Sequence, residues 1–297
     1  MVNTPEGKPR RAWVAALLSL ALPGLGHLYA GTPGKGIFAF SCLVVALPLC
    51  LVAMLELPTA PFNVILTLLV VLGVVVWVVV DAARSARRQG SAYQLQAFNR
   101  WYVYTGLLVL WGFVFQPGLS HTIRVSLVQA YRVASGGMLP ALRIGDHILV
   151  EKFAYGIRNP FTDEQLVSFG APRRGDVIIY EYPKDKQRAF IHRIIGLPGE
   201  TLEIQGGRLL INGTALGEPY AVFSDSPFSR QRDQMGPIII PAGHTFVMGD
   251  NRDHSMDSRA WGFLPVGNIL GRVRRIYFSW DREARNPRWE RIGLTIR

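Results

Sequence analysis

The sequence predicts a membrane-anchored all-β protein: helical membrane segments, then a β-rich domain carrying a small inserted β subdomain. Two observations carry this. First, the apolar residues are unevenly spread, with long uncharged runs over residues 12–117 and a mixed, soluble pattern over 118–297. Second, the latter half is built from short apolar or alternating runs separated by Gly/Pro turns, with no run of helical period. A length of 297 residues permits one large or two medium domains. The boundary is expected at 118/119, giving an anchor over 1–118 and a β-rich domain over 119–297 with an insertion about 200–245.

In the anchor, three segments approach the ~20 apolar residues that a spanning helix needs: Gly36–Leu55, Phe62–Val80 and the shorter Trp101–Phe115. Ala12–Leu22 is about half that length before Pro23-Gly24-Leu25-Gly26, which suits a re-entrant or interfacial piece. It imitates a secretory signal, but further apolar segments follow at once, so it reads as retained. Basic residues set the orientation. Lys8, Arg10, Arg11 and Lys35 flank the first piece, Arg84, Arg87, Arg88 and Arg100 follow Val80, and the loop Leu57–Pro61 has none. Three spans and a non-spanning first piece put every basic cluster on the cytoplasmic side and residues 119–297 outside. Glu56 and Asp81 fall at expected span ends, so a proton relay has little support, and His27 reads as an interfacial polar tip.

In the second half, Val125–Val133 reads as a strand leading into Ser135-Gly136-Gly137. Met138, Leu139 and Pro140 follow as an apolar wedge, Gly145-Asp146 as a turn and His147–Val150 as a strand. Further strands are expected at Val177–Tyr182, Ala189–Ile195, Leu202–Ile204, Leu209–Asn212, Ile238–Ile240, His244–Met248 and Gly271–Trp280. Gly206-Gly207 is the strongest hairpin signal. Between the last two strands lies a dense polar turn, Gly249 to Arg259. The charged tail from Asp281 is expected to wrap or fray.

Ser135–Leu142, Arg143–Gly156, Arg174–Glu200 and Gly249–Gly262, in this order, resemble bacterial type I signal peptidases, membrane serine endopeptidases that remove signal peptides from exported preproteins. Gly-Asp-Asn-Arg-Asp followed by Ser-x-Asp-Ser-Arg is the most specific block. The resemblance implies a β-rich catalytic domain on the outer face of a bacterial inner (plasma) membrane. It also implies an extended substrate, with small residues before the cut, bound beside an edge strand. Partners are therefore preproteins and the lipid bilayer. The family usually has one or two spans, so the extra apolar pieces depart from its pattern.

The family's reaction needs a serine immediately before the Met-x-Pro piece and a desolvated lysine as general base. Here the serine position is Gly137 and the lysine position is His192. Glycine has no atom that can attack a carbonyl. An imidazole with an ordinary pKa of ~6.5 is a competent base, and eukaryotic and archaeal relatives use a serine–histidine pair. The resemblance implies an inactive or impaired peptidase. Two alternatives stand beside it: an active enzyme with a displaced Ser135/His192 dyad, and a non-catalytic membrane assembly or binding factor. Ser135 lies two strand residues, about 6–7 Å, from the expected position, and a misplacement of ~1 Å already costs about 100-fold in rate. By resemblance, Ser255 touches the base, Asp257 and Arg259 form a supporting ion pair, Asp250 and Asn251 scaffold the loop, and Met138 and Pro140 bind substrate.

The net charge of +11 is diffuse and has no basic run interleaved with aromatics, which argues against nucleic acid. A basic surface beside anionic lipid explains its sign equally well. Cys42 and Cys50, the only cysteines, both lie in the apolar half. No histidine pair has ligand spacing and no glycine-rich loop joins a strand to a helix, so neither metal nor cofactor is expected.

Overall fold

The computed structural model describes residues 9–56, 62–89, 93–159, 165–168, 170–224 and 228–296. The loop Leu57–Pro61 and Lys8 lie outside the described residues. The chain divides into two compact units, Met1–Ile123 and Arg124–Arg297.

In the first unit, helices occupy Ala12–Ala21, Leu25–Tyr29, Pro33–Glu56 and Phe62–Arg88. A further helix starts at Trp101 and runs to Leu127. Three stretches are long and apolar enough to cross a membrane, Pro33–Cys50, Ile65–Arg88 and Trp101–Leu127, whereas Ala12–Ala21 is too short. The last stretch does not end at Phe115 as expected. Wide π-type turns at Trp111–Phe115 precede Pro117. They relieve the clash of its ring with the carbonyl four residues back, so the helix continues. The expected strand Val125–Val133 is correspondingly shorter and begins at Val128.

The small residues Ala15, Ala30, Ala82 and Ala86 are buried together and let their segments approach closely. His27 is not an interfacial tip. It is 1% exposed, with Nε2 3.0 Å from Asp81 Oδ2, and Lys35 Nζ donates to the same oxygen at 3.4 Å. Asp81 lies inside the helix Phe62–Arg88 rather than at its end, so its carboxylate is met by side chains.

The second unit is built on an eight-stranded antiparallel sheet. Its order is 128–132, 146–151, 269–281, 177–182, 185–196, 244–248 and 264–265, with 286–287 added on 269–281. A second sheet has the order 235–239, 201–205, 208–211, 214–215 and turns at Gly206-Gly207. Asp185–Gly196 is one long strand that starts before the expected Ala189. Tyr182 pairs with Asp185, which makes the polar stretch a tight hairpin turn and not a break.

Alternation sets the layers. Val177 and Ile179 join Met138, Leu142, Ile148, Val150, Val273 and Ile276 in one core. Ile178, Tyr180 and Ile194 face the other side with Val247, Leu264 and Ile269. Met138, expected to bind substrate, is 3% exposed inside the first core, and Pro140 is exposed. The apolar wedge thus plugs the sheet and holds the glycine turn above it.

The tail is pinned rather than frayed. Arg291 reaches the fully buried Asp146 with Nη2 at 2.6 Å and Nε at 3.0 Å, and it donates to Ala141 O at 2.9 Å. Ser279 Oγ and the Arg143 N–H also donate to Asp146, at 2.7 and 2.8 Å. Burial alone would raise the pKa of this carboxyl. The Arg291 and Ser279 hydrogen bonds outweigh burial and hold it below the ordinary range. Removing one member of such a pair leaves the other charge buried, at a cost of about 3–5 kcal/mol. Arg291→Ala is therefore expected to lower unfolding stability by that amount in denaturant titrations of the full chain. The double replacement Asp146→Asn with Arg291→Met should recover part of it, and an unchanged midpoint in the single variant would refute the role.

Candidate active site

The site is assembled where the glycine turn, the hairpin 177–196 and the polar loop 249–259 meet. The Asn251 N–H donates to Gly137 O at 3.1 Å, and Asn251 Nδ2 donates to Gly136 O at 3.1 Å. The loop is in turn fixed to the hairpin. Arg193 forks onto Asp250 at 2.8 and 2.7 Å and donates to Gly175 O at 2.8 Å. Its guanidinium stacks on the Tyr220 ring at 4.1 Å. Asp257, fully buried, accepts from the Gly249 N–H at 3.0 Å and from Arg259 Nε and Nη2 at 2.9 and 2.8 Å. Arg259 also donates to Arg252 O at 2.7 Å, and Arg252 pairs with Glu218. The Asx-type turn thus satisfies the backbone of its own loop.

His192 stands opposite Ile178 in the hairpin register, so its ring lies on the face that carries Tyr180. The Tyr180 hydroxyl is 2.6 Å from His192 Nδ1, and Ser255 Oγ is 3.1 Å from His192 Nε2. With the ring proton on Nδ1 donated to Tyr180, Nε2 is free to accept the Ser255 hydroxyl proton. Phe190 and Trp261 border Tyr180 with centroids at 6.4 and 5.9 Å and keep the pair dry on that side.

Burial lowers the His192 pKa to about 4. The Asp257 charge opposes the shift, and the Arg259 charge adds to it. The imidazole is therefore neutral at neutral pH. Burial, then the Asp257 charge, pushes the Tyr180 phenol far up, so it stays a neutral partner. For Asp257, burial raises the pKa, but the Arg259 hydrogen bonds and charge outweigh it and hold the carboxylate ionised.

Two glycines face Ser255 with opposite consequences. A Cβ on Gly249 would fall 2.3 Å from Ser255 Oγ and 2.4 Å from Gly137 O, so this position admits only glycine. A Cβ on Gly137 would meet nothing closer than 3.7 Å, at His254 O, with Ser255 Oγ at 3.8 Å. The space there accepts a side chain, so glycine at 137 is not a demand of the fold.

Of the residues singled out from the sequence, the structure brings together Gly137, His192, Ser255, Asp257, Arg259, Asp250 and Asn251. Ser135 is exposed and makes no hydrogen bond among the described residues. Sequence reasoning missed Tyr180 as the partner of His192, as well as Arg193, Tyr220 and Glu218. The only signal for Tyr180 was its place in the expected strand Val177–Tyr182. Among the described residues no group of three or more His, Cys, Asp and Glu converges as a metal site would.

Between about pH 6.5 and 4 the unfolded imidazole takes up a proton that the folded one refuses. Stability falls with pH through that window, by roughly 3 kcal/mol for this group. His192→Gln is expected to flatten that part of the pH–stability curve. Thermal unfolding measured from pH 7.5 to 4 tests it, and an identical slope in both proteins would rule it out.

The profile described as "Signal peptidase, peptidase S26" matches residues 100–280. Signal peptidase I of Pseudomonas aeruginosa is 36% identical over 225 residues, covering 63% of this chain and 79% of that protein. Signal peptidase I of Leptolyngbya laminosa is 42% identical over 159 residues, covering 51% and 69%. A crystal structure of a signal peptidase I from Enterococcus faecalis aligns at 33% identity with a TM-score of 0.30, over 35% of this chain and 98% of that one. With the family profile spanning more than half of its length, and with the glycine turn, hairpin and polar loop converging on one cleft, this chain belongs to the signal peptidase family, peptidase S26.

Proposed function

We propose that this chain receives the signal-peptide segments of exported preproteins in the family's cleft, and that the family's acyl transfer from position 137 is lost. The observation that carries this is Gly137. The turn, the loop clamp and the base-bearing hairpin are all built, and the one atom that would attack is missing. The scaffold was kept around it: Asn251 still holds the turn and Asp257 with Arg259 still shapes the loop. Serine at this position needs no change of backbone, since a Cβ there has only ordinary contacts.

The placement we favour is a bacterial inner membrane. Residues 1–118 form the anchor, with three spans and a short re-entrant or interfacial first helix, and the β-rich domain 119–297 lies on the outer side. Three apolar helices of sufficient length support it, as do the basic clusters at one set of their ends. The second sheet, over 201–239, is read as the inserted subdomain. An active Ser135/His192 dyad gains no support, because Ser135 is exposed and His192 already has partners on both nitrogens.

Gly137→Ser tests the reading. Full chain in detergent micelles is mixed with a labelled signal-peptide-bearing precursor, and cleavage and binding are both followed. The expected result is unchanged precursor binding and a gain in cleavage rate of ~100-fold or more, the scale at which a positioned base and nucleophile act. Wild-type cleavage as fast as that of the variant would overturn it.

A further inference from the structure

We propose that Ser255 has become the nucleophile of a residual hydrolytic dyad, with His192 as its general base. This rests on the reading that the cleft receives an extended peptide, and it assigns a residue that the family pattern uses only to support the base.

Three independent features converge on Ser255. Its hydroxyl is within hydrogen-bond reach of His192 Nε2, and the other ring nitrogen is oriented by Tyr180 at 2.6 Å. A nucleophile, a base and a group that orients the base therefore stand in a row. The loop that carries Ser255 is held in place: Asp250 is bound to Arg193 of the hairpin, Asn251 to the glycine turn, and Asp257 ties the loop to itself through the Gly249 N–H and Arg259, while Gly249 leaves room for Oγ where any Cβ would collide. The residue also borders open space. Ser255 is half-buried and lines an open cleft of about 580 Å³ together with Ser229, Gln231, Arg232, Arg259 and Ala260. On the opposite side, a side chain on residue 137 would begin 3.8 Å from Ser255 Oγ, and glycine leaves that space clear.

The steps balance without a cofactor. Ser255 Oγ attacks the carbonyl carbon of the scissile peptide as its proton passes to His192 Nε2. The C–N bond then breaks and His192 returns that proton to the departing amine, leaving an ester on Ser255. Water adds to the ester and gives its proton to His192. The ester C–O bond breaks, and Ser255 regains the proton. The Gly137 N–H makes no hydrogen bond among the described residues, so a donor on the turn remains unused beside the cleft. The reaction is slow because the imidazole is deeply buried, and the imidazolium that each step must form is poorly solvated.

A fluorophosphonate probe reads this directly, since an activated serine displaces its fluoride and keeps the phosphonyl group. The full chain in detergent micelles is incubated with the probe, digested, and the adduct located by mass spectrometry. The expected adduct is on Ser255. It should be absent in Ser255→Ala and formed ~100-fold more slowly in His192→Gln, with thermal unfolding confirming that both variants are folded. An adduct on Ser135, no adduct on Ser255, or a Ser255 adduct that forms equally fast in His192→Gln would overturn the assignment. Labelling of Gly137→Ser at position 137, and precursor binding measured separately, report on the cleft itself. Failure of the Ser255 dyad is therefore distinguishable from failure of the preprotein reading.

Discussion

The bidentate ion pair between Arg193 and Asp250 is the constraint on which the site rests. Both side chains are buried, and the guanidinium is closed above by Tyr220 and tied below to Gly175 O. A buried pair of this kind is weak evidence for added stability, because desolvation offsets most of the attraction. Its value here is positional. Arg193 follows His192 on the hairpin, and Asp250 opens the loop that ends in Ser255, Asp257 and Arg259. Fixing one bond of fork geometry therefore helps fix the distance between the His192 ring and the Ser255 hydroxyl.

Around that pair the site is dry and neutral where chemistry would occur and charged one layer further out. Tyr180 and His192 share a hydrogen bond inside an aromatic wall, and the ionised Asp257 is held to Arg259 and away from the ring nitrogens. The histidine is thereby kept unprotonated across the physiological range. A lysine would reach a comparable neutral state only through strong desolvation, whereas imidazole starts near it. The same burial that keeps the imidazole neutral makes its protonated form costly.

Gly137 and Gly249 separate two meanings of glycine at one site. At Gly249 the neighbours leave no space for a methyl group, and the residue is a packing requirement. At Gly137 a Cβ would have only ordinary contacts, so packing does not require glycine there. The space around each glycine could not be read from the sequence, since both occur beside small or polar residues in turn-like stretches.

Much of the molecule was legible from the chain. Short apolar runs between turn residues located the strands, because a strand buried on both faces, as Val177–Tyr180 is, reads as a continuous apolar run, and Gly206-Gly207 marked the hairpin of the second sheet. Length and hydropathy located the apolar helices, although Pro117 concealed the continuation of the last one to Leu127. His27 and Asp81 were misread. Their meeting joins segments 54 residues apart, and no local pattern records it.

The absence of a hydroxyl at position 137 was determined by the sequence itself, since no fold can supply an atom that the residue lacks. Which hydroxyl stands against His192 was decided only by tertiary structure. Ser255 is 63 residues away from it, and Arg291 is 145 from Asp146. Such contacts follow from strand register and from ion pairs that form once the sheet is closed. A shift of one residue would turn His192 to the opposite face and dissolve the site without altering a single local propensity.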